Sequence, residues 1–166
     1  MFLTMKPELK SMMIGENKLT TEQLEDMLRD YPNLNKRIKN RVNEIRNPYS
    51  PADENIGGGR SNNGNGAEKS LVGQIDTIDT DEDIQNWKAC KECIEQSLIA
   101  CDSIYDDFLS SQLIDVLYFH FERYKIPYLA KHKKLALSQD AMYKRYHRFM
   151  NILSDCVDNN NSIIIQ

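Results

Sequence analysis

Two runs of apolar residues, spaced three or four positions apart, dominate the chain between residues 84 and 121. This spacing is typical of amphipathic helices that bury one face. Apolar and polar residues do not alternate over any strand-length window, and the β-branched run Ile163–Ile165 is too short to build a sheet. The pattern therefore predicts an all-α fold. The first run contains Ile84, Trp87, Cys90 or Lys91, Ile94, Leu98, Cys101 and Ile104, and the second contains Leu113, Ile114, Leu117, Tyr118 and Phe121.

The N-terminal part, residues 1–46, has the pattern of a small helical arm. Thr20 and Gln23 have the spacing of a capping box at the start of a helix, and Tyr31-Pro32 is expected to end that helix. A second helix with apolar residues at helical spacing should then end before Pro48. Two helices of this length bury too little surface to be stable alone. We therefore expect the arm to dock on the rest of the chain, on a second copy or on a partner.

Residues 47–67 differ sharply in composition from the segments on either side. Fourteen of these 21 residues are Gly, Asn, Pro or Ser, which favours a flexible Gly/Asn-rich linker. The linker divides the chain into the arm and a helical C-terminal domain over residues 68–158. Residues 159–166 are expected to form a disordered tail.

The formal net charge of −4 conceals an uneven distribution. Residues 68–107 contain eleven acids and three bases, residues 120–148 contain eight bases and two acids, and residues 29–46 contain six bases and two acids. Such a separation is expected of a protein that meets a polyanion with one end only. Charged runs are also common on solvated helix faces, so charge by itself leaves both interpretations open.

A helix-turn-helix is predicted over residues 126–154. Pro127 suits the first turn of a short helix, a turn follows at residues 135–137, and Ser138 is a suitable N-cap for a second helix that continues to about Leu153. In this motif the second helix presents side chains to base edges in the major groove, while nearby cations bind phosphates. The predicted DNA-binding residues are Ser138, Gln139, Asp140, Tyr143, Lys144 and His147 on the second helix, with Lys131, Lys133, Lys134, Arg145 and Arg148 as phosphate ligands.

This segment resembles the helix-turn-helix of sigma-factor region 4. The Leu-Ala pair at 129–130, Leu135 and the Leu-Ser step at 137–138 come in that family's order, followed by Ser-x-x-Ala-Met-x-x-Arg at 138–145. Two features depart from the family's pattern. The distance from the Leu-Ala pair to Leu135 is two residues longer, and the turn has no glycine. The resemblance implies DNA binding by the second helix.

Residues 24–157 also resemble the RinA-like phage transcriptional regulators, which are related to the ArpU-like regulators. The most specific element is the string Asp-Glu-Asn-Ile-Gly-Gly-Gly-Arg-Ser at 53–61, accompanied by Tyr31-Pro32 and Asn47-Pro48-Tyr49. The resemblance implies a late-gene activator that binds double-stranded DNA in the cytoplasm of a bacterial host, with RNA polymerase and a second copy as candidate partners. Two other interpretations stay open, a small terminase-like DNA-packaging component and a protein–protein adaptor.

Other kinds of site have weaker support in the sequence. Cys90-x-x-Cys93 with Cys101 and His120 provides zinc-ligand types, but a pair at this spacing inside a helical stripe is more often buried packing. The glycine-rich segment lacks the ending of a phosphate loop, and residues 79–90 lack the glycine and glutamate of a calcium loop. No catalytic arrangement and no membrane-spanning run stands out. We therefore expect a cytosolic protein that is not an enzyme and needs no cofactor or metal.

Overall fold

The computed structural model describes residues 19–47, 66–160 and 163, with side chains described from residue 71 onward in the second range. These residues form helices and no strand, which confirms the all-α prediction for the described part of the chain. The helices are α1 (Thr21–Arg46), α2 (Gly66–Thr80), α3 (Glu82–Tyr105), α4 (Leu109–Ile114), a π-helical segment (Asp115–Phe119), α5 (Ile126–Lys131) and α6 (Gln139–Asp158).

α1 is one helix of 26 residues, where the sequence predicted two. Thr20 caps its start, as predicted. The prediction that the helix ends at Pro32 is wrong, because this proline lies inside α1. A proline inside a helix removes one backbone hydrogen bond. Leu28 and Leu34 are both buried, so packing on either side of the proline holds the two halves of α1 together.

α1 docks on the C-terminal helices, which is one of the three outcomes expected for the arm. It contacts α3, the π-helical segment and α6. In its first half, Leu24 and Leu28 belong to the same buried cluster as residues of these elements. In its second half, the Arg41 guanidinium lies 3.1 Å from the Asp81 carboxylate. Both halves of α1 are thus attached to the rest of the molecule.

α2 begins at Gly66, so the last two residues of the segment predicted as a linker are helical. α3 follows directly, and its N-cap is Asp81, whose carboxylate accepts a hydrogen bond from the Ile84 N–H at 3.0 Å. Asp81, Glu82 and Asp83 therefore lie at the N-terminus of α3, where carboxylates are favourable, while Asp79 lies in the last turn of α2.

Two groups of buried side chains hold the helices together. The larger lies where α3 and α6 meet, and α1, α4 and the π-helical segment also contribute to it. Its members are Leu24, Leu28, Cys93, Ile94, Cys101, Ile114, Tyr118, Phe149, Met150, Leu153 and Val157. The smaller consists of Leu113, Ile126, Leu129 and Met142. This smaller core fixes the short α5 against α4 and the start of α6.

Three expectations about burial are wrong. Phe121 was expected on a core face but is fully exposed, because the helical segment ends at Phe119 and the chain changes direction before it. Ile104 was expected in the first buried stripe and is half-exposed at the end of α3. Ile163, in the predicted disordered tail, packs against the larger core.

Several predicted features lie outside the described residues. These are the first 18 residues and the linker residues 48–65, which include the Asp53–Ser61 string. No helix in the described part combines the length and the apolar character that crossing a lipid bilayer requires.

Candidate nucleic-acid interface

α5 and α6 are joined by residues 132–138, and the connection starts with a left-handed residue. Lys133 has a φ of 48°. Its N–H donates to the Ala130 carbonyl at 3.3 Å, and the Lys134 N–H donates to the Leu129 carbonyl at 3.1 Å. These two hydrogen bonds form a Schellman motif, in which the left-handed position is usually glycine. Lys133 thus stands where a glycine would be expected in this turn.

The starts of both helices agree with the sequence. Pro127 lies in the first turn of α5, where its missing N–H costs nothing. Ser138 accepts a hydrogen bond from the Ala141 N–H at 3.2 Å and so caps α6. α6 is longer than predicted, since it continues to Asp158 rather than to about Leu153.

The first three turns of α6 present a polar face to solvent. This face lies opposite the buried Met142 and Phe149, as the helical period requires. It combines an amide, a carboxylate, a phenol, an amine and an imidazole, which are groups that read base edges by hydrogen bonds. Its members, all exposed, are Gln139, Asp140, Tyr143, Lys144 and His147.

Three of the predicted lysines precede this face along the chain, and the fourth lies on it. Lys131 ends α5, Lys133 and Lys134 follow in the connection, and Lys144 lies on α6; all four are exposed. None of them forms an ion pair with a carboxylate among the described residues. Arg148 is also exposed, with its guanidinium 5.7 Å from the centre of the Tyr105 ring. These cations remain available to an external anion.

Arg145 is not available to DNA, and its assignment as a phosphate ligand is wrong. The residue is only 8% exposed. Its Nη1 and Nη2 donate to the two carboxylate oxygens of Asp107 at 2.6 and 2.8 Å, and Nη1 also donates to Ser110 Oγ at 3.1 Å. Its guanidinium lies 3.9 Å from the centre of the Tyr105 ring. The hydrogen bonds from Arg145 hold the pKa of Asp107 below its usual value.

The acidic and basic segments of the sequence are partly each other's partners. Asp107 belongs to the acidic segment 68–107 and Arg145 to the basic segment 120–148. Asp81 of the same acidic segment pairs with Arg41 of the basic segment 29–46. Part of the charge separation seen in the sequence is therefore neutralised by ion pairs within the chain.

A hydrogen-bonded group beside α6 was missed in the sequence. Glu25 Oε1 accepts hydrogen bonds from the Tyr118 hydroxyl at 3.0 Å and the Tyr146 hydroxyl at 2.8 Å. Its other oxygen accepts from Arg29 at 3.0 Å. Burial and the hydrogen bonds with Tyr146 and Glu25 raise the pKa of Tyr118. The participants come from α1, the π-helical segment and α6, so no local pattern could have indicated the contact.

The cysteines are placed as buried packing groups. Burial raises the pKa of Cys90 to about 11 and that of Cys93 to about 12, so both thiols are protonated at neutral pH. The Cys93 Sγ atom lies 2.9 Å from that of Cys156. His120, weighed with them as a zinc ligand, is exposed and bonds to Asp115 at 2.7 Å. Among the described residues, no three His, Cys, Asp or Glu side chains are grouped so as to hold a metal ion.

Comparison with known families covers α1 and nearly all of the helical domain. The model of one family, DUF722, matches residues 20–155. The chain belongs to the DUF722 family. That family is described as "Protein of unknown function", so membership by itself assigns no activity. Searches of curated proteins and of solved structures give no match. The evidence on function therefore comes from the geometry of α5, the connection and α6.

Proposed function

We propose that the protein is a sequence-specific, non-enzymatic DNA-binding regulator of transcription, in which α5, the connection and α6 act as a helix-turn-helix. α6 enters the major groove of double-stranded DNA, and its polar face contacts base edges, with Ser138 at the start of the helix. Lys131, Lys133, Lys134 and Arg148 bind phosphates on either side. Arg145 has a different role, because it holds α6 against Asp107 from the buried side.

The conformation of Lys133 is the observation that carries this proposal. A left-handed backbone costs a residue with a side chain about 1 kcal/mol relative to glycine. A glycine would keep both hydrogen bonds of the Schellman motif without this cost. The lysine is exposed and has no ion pair with any described carboxylate, so its side chain contributes little to the fold. Strain retained at such a position supports a role in binding an anion.

Replacing Lys133 by glycine should therefore separate stability from binding. In urea denaturation the free energy of unfolding should rise by up to about 1 kcal/mol, because the strain is relieved. In gel retardation at low salt the affinity for DNA should fall about fivefold, because one phosphate contact is lost.

The chain offers a matched control at the end of α3. Asp106 has a φ of 51° and is exposed, so Asp106→Gly relieves the same kind of strain. That variant should also gain stability, but its affinity for DNA should equal or exceed that of the wild type, since the lost charge is negative. Unchanged DNA affinity in Lys133→Gly would contradict the proposed role of the lysine.

The salt dependence of binding provides a second test. If four to six phosphates are neutralised, the logarithm of the affinity should fall with the logarithm of salt concentration with a slope of about −4 to −5. Lys131→Ala combined with Lys134→Ala should make the slope shallower by about 2, because each of these lysines is a proposed phosphate ligand. The control is Lys36→Ala with Lys39→Ala, which removes two exposed lysines of α1 and should leave the slope unchanged. Identical slopes in all three proteins would exclude this interface.

The regulatory part of the proposal rests on the resemblance to phage late-gene activators. Footprinting on the genome that encodes the chain should then reveal a protected site near a late-gene promoter. The exposed part of the acidic segment is suited to a protein partner such as RNA polymerase, because like charge keeps it away from DNA. A ring-sized particle in light scattering, without any effect on transcription, would instead favour the packaging component.

A further inference from the structure

A cleft separates α1 from the proposed helix-turn-helix. Its volume is about 510 Å³, within the range of pockets that bind small molecules. The walls come from α1, the π-helical segment, residues 123–127 and two tyrosines of α6, Tyr143 and Tyr146. The π-helical segment is itself notable, since such segments are rare and often border functional sites.

Two cations that line the cleft have no carboxylate partner in the described part of the chain. Its one carboxylate, Glu25, already accepts hydrogen bonds from Tyr118, Tyr146 and Arg29. Arg123 and Lys125 also line the cleft, and neither forms an ion pair with a described carboxylate. The one hydrogen bond from Arg123 is a long contact of 3.4 Å to the backbone carbonyl of Arg29. The cleft therefore carries positive charge that an anion could neutralise.

The remaining walls are aromatic and aliphatic and largely apolar. Tyr124 lines the cleft, and its ring is nearly parallel to that of Tyr128 at a centroid distance of 5.0 Å, which restricts its orientation. Tyr143, Leu117 and Pro127 supply further aromatic and aliphatic surface. Tyrosine faces of this kind stack on aromatic rings, including nucleobases.

We propose that this cleft binds a nucleoside phosphate, with the phosphate held by Arg123 and Lys125 and the base placed against the tyrosines. Arginine and lysine are the side chains that bind phosphate most effectively, arginine through paired hydrogen bonds and lysine as a point charge. Inorganic phosphate alone would leave most of the cleft unfilled, whereas a nucleoside also covers the aromatic walls. The site shares Tyr143 with the polar face of α6, but its two cations lie outside that face, so it does not depend on the proposed contact with DNA.

Isothermal titration of the full chain with adenosine monophosphate tests the site. We expect one molecule bound per chain, tighter than inorganic phosphate and tighter than adenosine, because only the nucleotide uses both parts of the cleft. Arg123→Ala with Lys125→Ala should weaken binding of the nucleotide about tenfold or more. Both residues are exposed, so the fold should be preserved, and circular dichroism would check this. Lys36→Ala with Lys39→Ala, with the same change of charge, should bind the nucleotide as the wild type does.

Two results would overturn the proposal. The first is the absence of heat of binding with the wild type at millimolar nucleotide. The second is equal affinity in the wild type and the Arg123→Ala, Lys125→Ala variant. The phosphate of a DNA backbone is the other possible source of the same chemistry. If the cleft variant loses affinity for DNA while the wild type does not bind the nucleotide, the cleft belongs to the DNA contact. Failure of the Lys133 and Lys134 tests would count against the DNA interface alone, since those lysines do not line the cleft.

Discussion

The two basic segments of the chain use their charge in different ways. In α1, three of the six bases between residues 29 and 46 pair with carboxylates: Arg29 lies 2.6 Å from Asp26, Arg37 2.9 Å from Asp30 and Arg41 3.1 Å from Asp81. In residues 120–148 only one of the eight lysines and arginines, Arg145, has such a partner among the described residues. A run of basic residues in a sequence is therefore a poor guide to an anion-binding surface, because a cation that is already paired has little attraction left for a phosphate.

The same contrast recurs between two neighbours on α6. Lys144 is exposed and forms no ion pair with a described carboxylate, whereas Arg145 is buried and bound to Asp107. Adjacent side chains of an α-helix point about 100° apart around its axis, so Lys144 faces solvent while Arg145 faces Asp107. The predictions below test whether this distinction is real.

Loss of the Arg145–Asp107 ion pair should have the largest effect. Arg145→Ala removes the partner of Asp107 and a cation that lies over the Tyr105 ring. The guanidinium is buried but the Asp107 side chain is 31% exposed, so solvent weakens the pair and the free energy of unfolding in urea should fall by about 2 kcal/mol. Lys144→Ala should change it by less than about 0.5 kcal/mol, since the side chain is exposed.

DNA binding reverses the order of these two variants. At a temperature where both are folded, Lys144→Ala should bind DNA more weakly than Arg145→Ala. If Arg145→Ala were as stable as the wild type but bound DNA less well, Arg145 would be a DNA contact and not a structural residue.

Acid should lower the free energy of unfolding because it protonates Asp107 of the same ion pair. Because Arg145 lowers the pKa of Asp107 in the folded state, the ionised carboxylate stabilises the fold above its unfolded pKa of about 3.9. This stabilisation is lost as the pH falls below that value towards the folded pKa. Asp107→Asn should therefore be less stable than the wild type at neutral pH, with the difference shrinking in acid. Urea denaturation between about pH 6 and pH 2 measures it.

Asp76→Asn is the control for this experiment, because Asp76 is exposed and has no ion pair with any described cation. It should change the free energy of unfolding little at any pH. A difference between wild type and Asp107→Asn that stays constant down to pH 2 would contradict the role assigned to the carboxylate.

The features that can be predicted correctly from the sequence depend on neighbouring residues. Thr20 and Ser138 cap helices because each side chain accepts a hydrogen bond from the backbone N–H three residues later. Pro127 fits the first turn of α5 because that position needs no N–H donor. The exposed face of α6 follows from its period alone. Each of these features is decided within one or two turns of helix, so the sequence contains the information locally.

The features that could not be predicted from the sequence depend on residues far apart in the chain. Arg145 and Asp107 are 38 positions apart, and Tyr146 and Glu25 are 121 positions apart, so no periodicity could have paired them. Pro32 removes one backbone hydrogen bond of the helix, which predicts a helix end, but the burial of Leu28 on one side of it outweighs that loss. Tertiary packing overrides local preference in each case.

The paired arginines of α1 should show the smallest effects of all. The Arg37 side chain is 50% exposed and its guanidinium lies 2.9 Å from the Asp30 carboxylate. Exposed pairs of this kind contribute about 0.5 kcal/mol or less, so Arg37→Ala should lower the free energy of unfolding by no more than that. Its affinity for DNA should equal that of the wild type, because Asp30 already neutralises the lost charge. Lys133→Gly removes one positive charge as well, which makes the two variants directly comparable in gel retardation. If both lost affinity for DNA equally, pairing with a carboxylate would not matter, and the net charge of the chain rather than a defined interface would govern binding.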